Sequence, residues 1–419
     1  WRHNGLLPFV EPEQIHHQVY AALSAGYRGL GFWKTRQLQI DSPADRETSL
    51  AIELVCMEVD LLEPFLARGR REGYLALQTE SSKPKNNRKG DASFAASFSG
   101  KEAGVTVTGL EGPREHDAAV ISGNNATLIL GTAWDSYSQY VPGPMFEREV
   151  SLIVAASETA SAWQISSSGI RSLPREVTAG GLSLRIRNFD QAAAIVVTSD
   201  PGVIRTLEQK IHGMAERSAA KHNELAELKY LRVLNTIETL REEHEIPPGS
   251  DALMTSARQM LDRAQFEMKT KDYHESTLLA RDAMRNLRQV QQLCWKDAIA
   301  ELTSPTASPH TISFHTLPEH WRLMHYLDQQ SFRMTENLLP SGDFEDRRTI
   351  LQAGWSRNAA DKSIFSATAD IISDGRMGKM LRLAAWHSDP SAKTGSRDDV
   401  TPLVVTSPPV PVEAGDVVI

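Results

Sequence analysis

GYRGLGFWKT, residues 26–35, is the stretch whose reading decides the fold. Its glycines fall as G-x-x-G-x-G, at Gly26, Gly29 and Gly31. A dinucleotide fingerprint needs G-x-G-x-x-G between a strand and a helix, so that the helix N-terminus meets the pyrophosphate. Here the order is wrong, and the glycines lie before and within the apolar run. The spacing instead predicts a short buried strand over YRGLGFW, with glycines where backbone or a helix approaches closely. Upstream, EPEQIHHQVYAALSAG predicts a helix, with Pro12 at its first turn, Ile15, Val19, Ala22 and Leu23 on one face and Gly26 as the stop. Downstream, SPADRETSLAIELVCMEVDLLEPFLARG predicts a second helix. Ser42 or Asp45 caps it, and Leu50, Leu54, Met57, Leu61 and Leu62 form its stripe, with a bend or restart at Pro64. Helix, strand, helix is the order of a repeating β/α fold.

The 419 residues exceed one ordinary domain. A formal charge of −8 argues against general nucleic-acid binding, which needs a basic surface, and gives no reason to expect an anionic membrane as partner. No window nears 18 uninterrupted apolar residues, so no transmembrane helix is expected. Cys56 and Cys294 both fall in helical patterns and read as buried free thiols. The first residue, Trp1, and the last stretch, VEAGDVVI, read as an excerpt of a longer protein.

Along the chain the period changes. Residues 1–72 read as the α/β piece. Residues 73–200 carry short β-rich runs (GVTVTGL, ATLILGTAW, VSLIVAA, SAWQISSS, LSLRIRNF and AAAIVVTSD) separated by turn residues, and predict an antiparallel sandwich of about six to eight strands. The polar ESSKPKNNRKGDASFAASFSGKEAG between them reads as a mobile loop. Residues 201–302 predict a long helical hairpin of two or three helices, its first rod roughly 65 Å long, broken at IPPGSD and again at KTKDYHES. Residues 303–335 read as a connector, and residues 336–419 as the opening of a second β domain.

EPEQIHHQVYAALSAGYRGLGFWKT resembles the seventh helix and eighth strand of glycoside hydrolase (β/α)8 barrels. The larger arrangement is similar to secreted multidomain proteins of planctomycete-type bacteria. The resemblance implies the C-terminal end of such a barrel over 1–72, a trailing β-sandwich, and a carbohydrate-active protein, secreted or at the cell surface, with a polysaccharide or glycan as partner. Barrel sites sit at the C-terminal ends of strands. That rule places Trp33 and Lys34 at the mouth, where Trp33 either stacks on a sugar ring or caps the barrel core. Arg2 and His3, in the loop before the helix, are further candidates for substrate contact. Glycoside hydrolysis needs two carboxylates. On this reading they lie upstream of Trp1, because Glu11 and Glu13 flank Pro12 and read as carboxylates set against the helix dipole. The alternative is a non-catalytic glycan-binding or surface protein with a degenerate barrel and a helical spacer.

NLLPSGDFED resembles the opening of galactose-binding-like jelly rolls, through Asn337, Gly342, Phe344 and Glu345, with Ser341 where Asn is usual. The resemblance implies a truncated roll over 336–419, with Glu345 near a structural calcium site, while Trp355 reads either as a core anchor or as a sugar contact. His310, His315, His320 and His325 recur every five residues, which sets no four ligands on one helical face, and no other cofactor or metal is implied. The helical hairpin is a spacer or, alternatively, an oligomerisation coiled coil, although its stripe keeps no strict heptad.

Overall fold

The structure, a computed structural model, describes residues 9–32, 38, 42–79, 116–133, 147–302, 307–329, 338–345, 347–359, 365–374, 378–387 and 403–411. The described residues form seven helices and antiparallel sheets, none of them closed into a barrel. They divide into two compact units, Trp1–Tyr326 and Leu327–Ile419.

The first unit is built on two sheets. One has six strands in the order β1 (Arg70–Ala76), β3 (His116–Ser122), β4 (Thr127–Ala133), β10 (Ala192–Thr198), β6 (Ser161–Ser166) and β7 (Gly169–Ser172). The other has four, in the order β2 (Gln78–Thr79), β5 (Glu147–Val154), β9 (Gly181–Phe189) and β8 (Arg175–Thr178). Strand β10 shows why its sequence is a continuous apolar run. Ala193, Ile195 and Val197 face the second sheet, where they join Ile129, Val150, Leu184, Ile186 and Phe189 in one core. Ala192, Ala194 and Val196 point the other way, into a core shared with helices. Alternation by two therefore buries every residue of a strand that is covered on both faces.

Helices α1 (Pro12–Ala25) and α2 (Pro43–Arg68) supply that second cover. Val19, Tyr20 and Leu23 of α1 and Val55, Leu61, Leu62 and Leu66 of α2 lie against Leu128, Leu130 and Ile121 of the six-stranded sheet. Gly26 ends α1 in the left-handed conformation (φ 102°), which an L side chain rarely adopts. Helix α2 continues through Pro64 without restarting. The strand expected over YRGLGFW is not formed across its described part. Residues 27–32 carry no ladder bonds, and Tyr27, Leu30 and Phe32 are exposed. The physical reason is that α1 and α2 both pack on one face of the same sheet, so residues 27–32 leave α1 beside that helical layer and meet no neighbouring strand. Helix, segment, helix here is two helices on an antiparallel sheet, not a repeat of a parallel barrel.

Helix α3 (Pro201–Glu243) grows straight out of β10. The Asp200 carboxylate accepts the Gly202 N–H at 2.8 Å and caps it, with Pro201 in the first turn. Its first half, with Ile204, Leu207 and Ile211, completes the sheet–helix core. Its second half, with Leu225, Val233, Ile237 and Leu240, packs with α4 (Ser250–Thr270), α5 (Tyr273–Ala298) and Leu50 and Leu54 of α2. The helical segment is thus three helices, and the long one belongs to both cores. Leu231 is exposed; Cys56, expected to be buried, is exposed too, while Cys294 is buried, and both thiols are free. Helix α6 (Leu317–Gln329) follows a short turn held by Phe314 in the helical core. The expected strand GVTVTGL and the polar loop before it lie outside the described residues.

A close approach fixes the β8–β9 hairpin. Gly181 has φ 135°, and a Cβ there would stand 2.1 Å from the Val154 carbonyl oxygen. Gly181→Ala is expected to cost roughly 1–3 kcal/mol, read as a lowered Tm; an unchanged Tm would show that this hairpin relaxes freely.

The second unit contains α7 (Arg347–Gln352) and two antiparallel pairs, β11 (Ser356–Ala359) with β14 (Leu403–Thr406) and β12 (Phe365–Asp374) with β13 (Gly378–His387). Trp355 anchors rather than presents its ring: the indole N–H donates to the Pro340 carbonyl at 2.8 Å, and Phe344 meets it edge-on at 5.3 Å. Glu345 Oε1 accepts the Lys379 backbone N–H at 3.2 Å. Asn337 lies outside the described residues.

Candidate functional site

Of the residues read from sequence as substrate contacts, Arg2, His3, Trp33 and Lys34 all lie outside the described residues. The densest chemistry is elsewhere, at the N-terminus of α1. Glu11 is the N-cap residue, its N–H bonded to Gln14 Oε1 at 2.9 Å, and Glu13 stands in the first turn. Neither carboxylate serves the helix end alone. Lys229, fully buried in the middle of α3, places Nζ 3.1 Å from Glu11 Oε2 and 2.6 Å from Glu13 Oε1. One turn further on, Arg232 donates from both Nη atoms to Glu11, at 2.9 and 2.8 Å, and from Nε to Glu47 of α2 at 3.0 Å. Arg288 of α5 donates to Glu13 at 3.3 Å and also to Asp190, at the turn between β9 and β10. Gln291 completes the set, donating to Glu11 Oε1 at 2.8 Å. The network ties α1, α2, α3, α5 and the sheet at one point. Its partners are separated in sequence by up to 280 residues, which no local pattern signals.

Burial alone would push these carboxyls up. At Glu11 the opposing charges of Arg232 and Lys229 win, and hold it well below the usual carboxylate range. Asp190 is likewise lowered against its burial, by Arg288, Arg285 and Arg281. At Glu47 burial outweighs Arg232 and the carboxyl is raised.

Beside this network lies a cavity of about 80 Å³. Glu13, Asp190 and Arg288 of the network line it, together with His16, Glu58, His222 and Arg281. Glu58 Oε2 accepts from His16 Nε2 and from the Tyr20 hydroxyl, each at 2.8 Å. Burial opposes its ionisation, but His16, Arg281 and the Tyr20 bond bring it down to about 2. His222 Nδ1 lies 3.0 Å from the Ser218 carbonyl, which makes that nitrogen the donor and leaves Nε2 an acceptor. Burial pushes His222 down to about 4. The arrangement can hold polar groups and fix protons. Its volume exceeds the ~10–15 Å³ that admits one water and falls far below the ~300 Å³ of an ordinary ligand pocket.

A larger groove, about 450 Å³, runs between residues 28–32 and α2. Leu30, Phe32, Val55 and Val59 give it an apolar floor, and Arg28 and Glu63 supply its charges. Among the described residues, no group of histidine, cysteine and carboxylate side chains is arranged to hold a metal ion, and no helix is long and apolar enough to cross a membrane. No protein-family model, no curated protein and no solved structure matches the chain.

Proposed function

We propose that the protein is carbohydrate-active, secreted or at the cell surface, and that it holds a glycan in the groove between residues 28–32 and α2. The observation that carries this reading is the exposure of Phe32, 48%, on a groove of glycan-ligand size with one cation and one carboxylate on its walls. A pyranose offers an apolar C–H face to an aromatic plane and hydroxyls to charged groups, so Phe32 stacks while Arg28 and Glu63 take hydrogen bonds. In sequence alone, since no strand forms over residues 27–32, the likeness of residues 11–35 to the seventh helix and eighth strand of glycoside hydrolase barrels supports the same substrate class, and that of residues 337–345 to galactose-binding-like rolls adds a second glycan-handling unit.

Within this reading, binding without cleavage is favoured over hydrolysis. Glu63 is the one carboxylate lining the groove among the described residues, whereas cleavage uses two. Affinity electrophoresis against a polysaccharide panel, with reducing-end release measured in parallel, tests both statements. Phe32→Ala is expected to weaken retention about tenfold, the worth of an aromatic stacking contact and its buried area. Retention by no polysaccharide, or equal retention of the variant, removes the groove as a glycan site; release of reducing ends overturns the preference for binding alone.

A further inference from the structure

Building on the reading of the groove as a glycan site, we infer that its ligand is a neutral oligosaccharide, and that Tyr27 and Arg71, at the C-terminal end of α1, form a second sugar subsite beyond Arg28. Two independent observations carry this. The first is the ring of Tyr27, which is 62% exposed, more than any other large apolar side chain among the described residues. Its backbone, by contrast, is fixed. The Gly26 N–H donates to the Leu23 carbonyl and the Tyr27 N–H to the Ala22 carbonyl, each at 3.0 Å, the paired bonds of a helix that ends through a left-handed glycine. An apolar residue in the place of Tyr27 commonly folds back onto the helix one turn earlier. Ala21 and Ala22 stand there, too short to cover a phenol ring. The sequence thus holds the chain at Tyr27 and leaves the ring in water.

The second observation is the guanidinium of Arg71. Its Nη1 donates to the Ala25 carbonyl and to the Tyr74 hydroxyl, each at 3.1 Å, and that hydroxyl donates to the Ser24 carbonyl at 3.0 Å. The group also lies over the Tyr74 ring, 5.4 Å from its centroid. It is therefore immobilised, and its Cδ and Nε lie 3.9 Å from where a Cβ of Gly26 would stand, beside the backbone that carries Tyr27. Among the described residues Nε and Nη2 have no partner. They form the parallel edge of the fork, which matches two neighbouring oxygens. Both a carboxylate and the vicinal hydroxyls of a sugar offer such a pair. The carbonyls at the negative pole of α1 already answer the charge of Arg71, so a carboxylate meets repulsion there and neutral hydroxyls do not. The apolar face of the same sugar unit lies on Tyr27.

Continuity with the groove sets the length of the ligand. Leu23, one turn before Tyr27, and Arg28, next to it, both line the groove with Phe32. Tyr27 stands outside that lining, so a unit stacked on Phe32 alone leaves it unused. The two rings are separated by at most about 17 Å of backbone. A chain of a few units, running from Phe32 past Arg28 to Tyr27, uses both.

Titration of the full chain with disaccharides and hexasaccharides of the cello, manno, xylo and malto series, beside soluble polysaccharides of the same four kinds, tests the inference. The hexasaccharide of the series that binds is expected to bind at least about tenfold more tightly than its disaccharide, and Tyr27→Ala to remove that gain. Tyr27→Trp, which keeps a ring, is expected to retain it. Arg71→Lys keeps a cation at the helix end without the fork, and is expected to weaken the hexasaccharide several-fold. Tm is expected to stay the same in Tyr27→Ala, since the ring is 62% exposed, which separates lost binding from lost folding. Equal affinity for disaccharide and hexasaccharide, or wild-type hexasaccharide affinity in Tyr27→Ala, would overturn the subsite and leave the groove its glycan. Tighter binding of oligogalacturonides would overturn the neutral assignment. Retention by no polysaccharide would overturn the groove and the subsite together, and saturable binding to vesicles of anionic phospholipid in its place would reassign the exposed rings to a membrane surface.

Discussion

Lys229→Met is expected to destabilise the first unit by about 3–5 kcal/mol, the cost of removing one partner from a buried ion pair. Lys229 is fully buried, and its ammonium is shared by Glu11 and Glu13, themselves 3% and 7% exposed. Methionine fills nearly the same space, so the loss is one of charge and not of volume. Glu11 keeps Arg232 and Gln291, but Glu13 Oε1 keeps only the longer 3.3 Å contact from Arg288. The expected result is a lower midpoint in urea denaturation with an unchanged slope. Removing the orphaned charge as well should recover part of the loss: Glu13→Gln/Lys229→Met should be more stable than Lys229→Met alone. Such recovery would assign the cost to the unpaired carboxylate. A loss below about 1 kcal/mol, the range of exposed pairs, would show that water reaches the network and that it does not hold the helices to the sheet.

That network marks the limit of what the sequence reveals. Helix ends were legible because their causes are local: Pro12 and Gly26 bound α1, Pro201 starts α3, and Pro247 and Pro248 follow its end. Strands β4, β5, β6, β9 and β10 were legible from their apolar runs. Their order was not, since β10 pairs with β4 and β6 across 60 and 30 residues or so, and nothing in its own side chains names those neighbours. Glu11 and Glu13 show the same divide. Their place at a helix N-terminus could be read, but their counter-ions come from α3 and α5, more than 200 residues away. GYRGLGFW shows it in reverse. Glycines alternating with large apolar residues state what a segment would do beside other strands. They do not state whether such strands are there, and among the described residues Tyr27, Leu30 and Phe32 face outward.

His222→Phe is expected to remove about 3 kcal/mol of acid sensitivity between pH 6.5 and 4. Burial lowers His222 from 6.5 to about 4, so in the folded chain it stays neutral across this window. The unfolded chain takes up the proton near its ordinary value. Between the two values the unfolded state binds more protons, and stability falls as pH falls, by 1.36 kcal/mol for each pH unit crossed. The groups facing the ring explain why charging is resisted. The Ser218 carbonyl on α3 and Glu58 on α2 favour the cation, but Arg281 on α5 and His16 on α1 oppose it, and burial outweighs them all. Glu58, held near 2, loses its contribution only below about 4.5, so the two effects occupy different windows. His17, His274 and His320 are also lowered by burial and share the upper window, so the variant keeps part of the slope when His222 is removed. The informative quantity is therefore the difference between wild type and variant, from urea midpoints at several pH values. The phenyl ring keeps the volume but loses the bond to Ser218, so the variant starts lower at pH 7, by about 1 kcal/mol; the curves cross between pH 6 and 5, and by pH 4 the variant is the more stable by about 2 kcal/mol. Parallel curves would mean that His222 charges in the folded state as readily as in the unfolded one, and that the cavity wall it forms is wet enough to solvate an imidazolium beside Arg281.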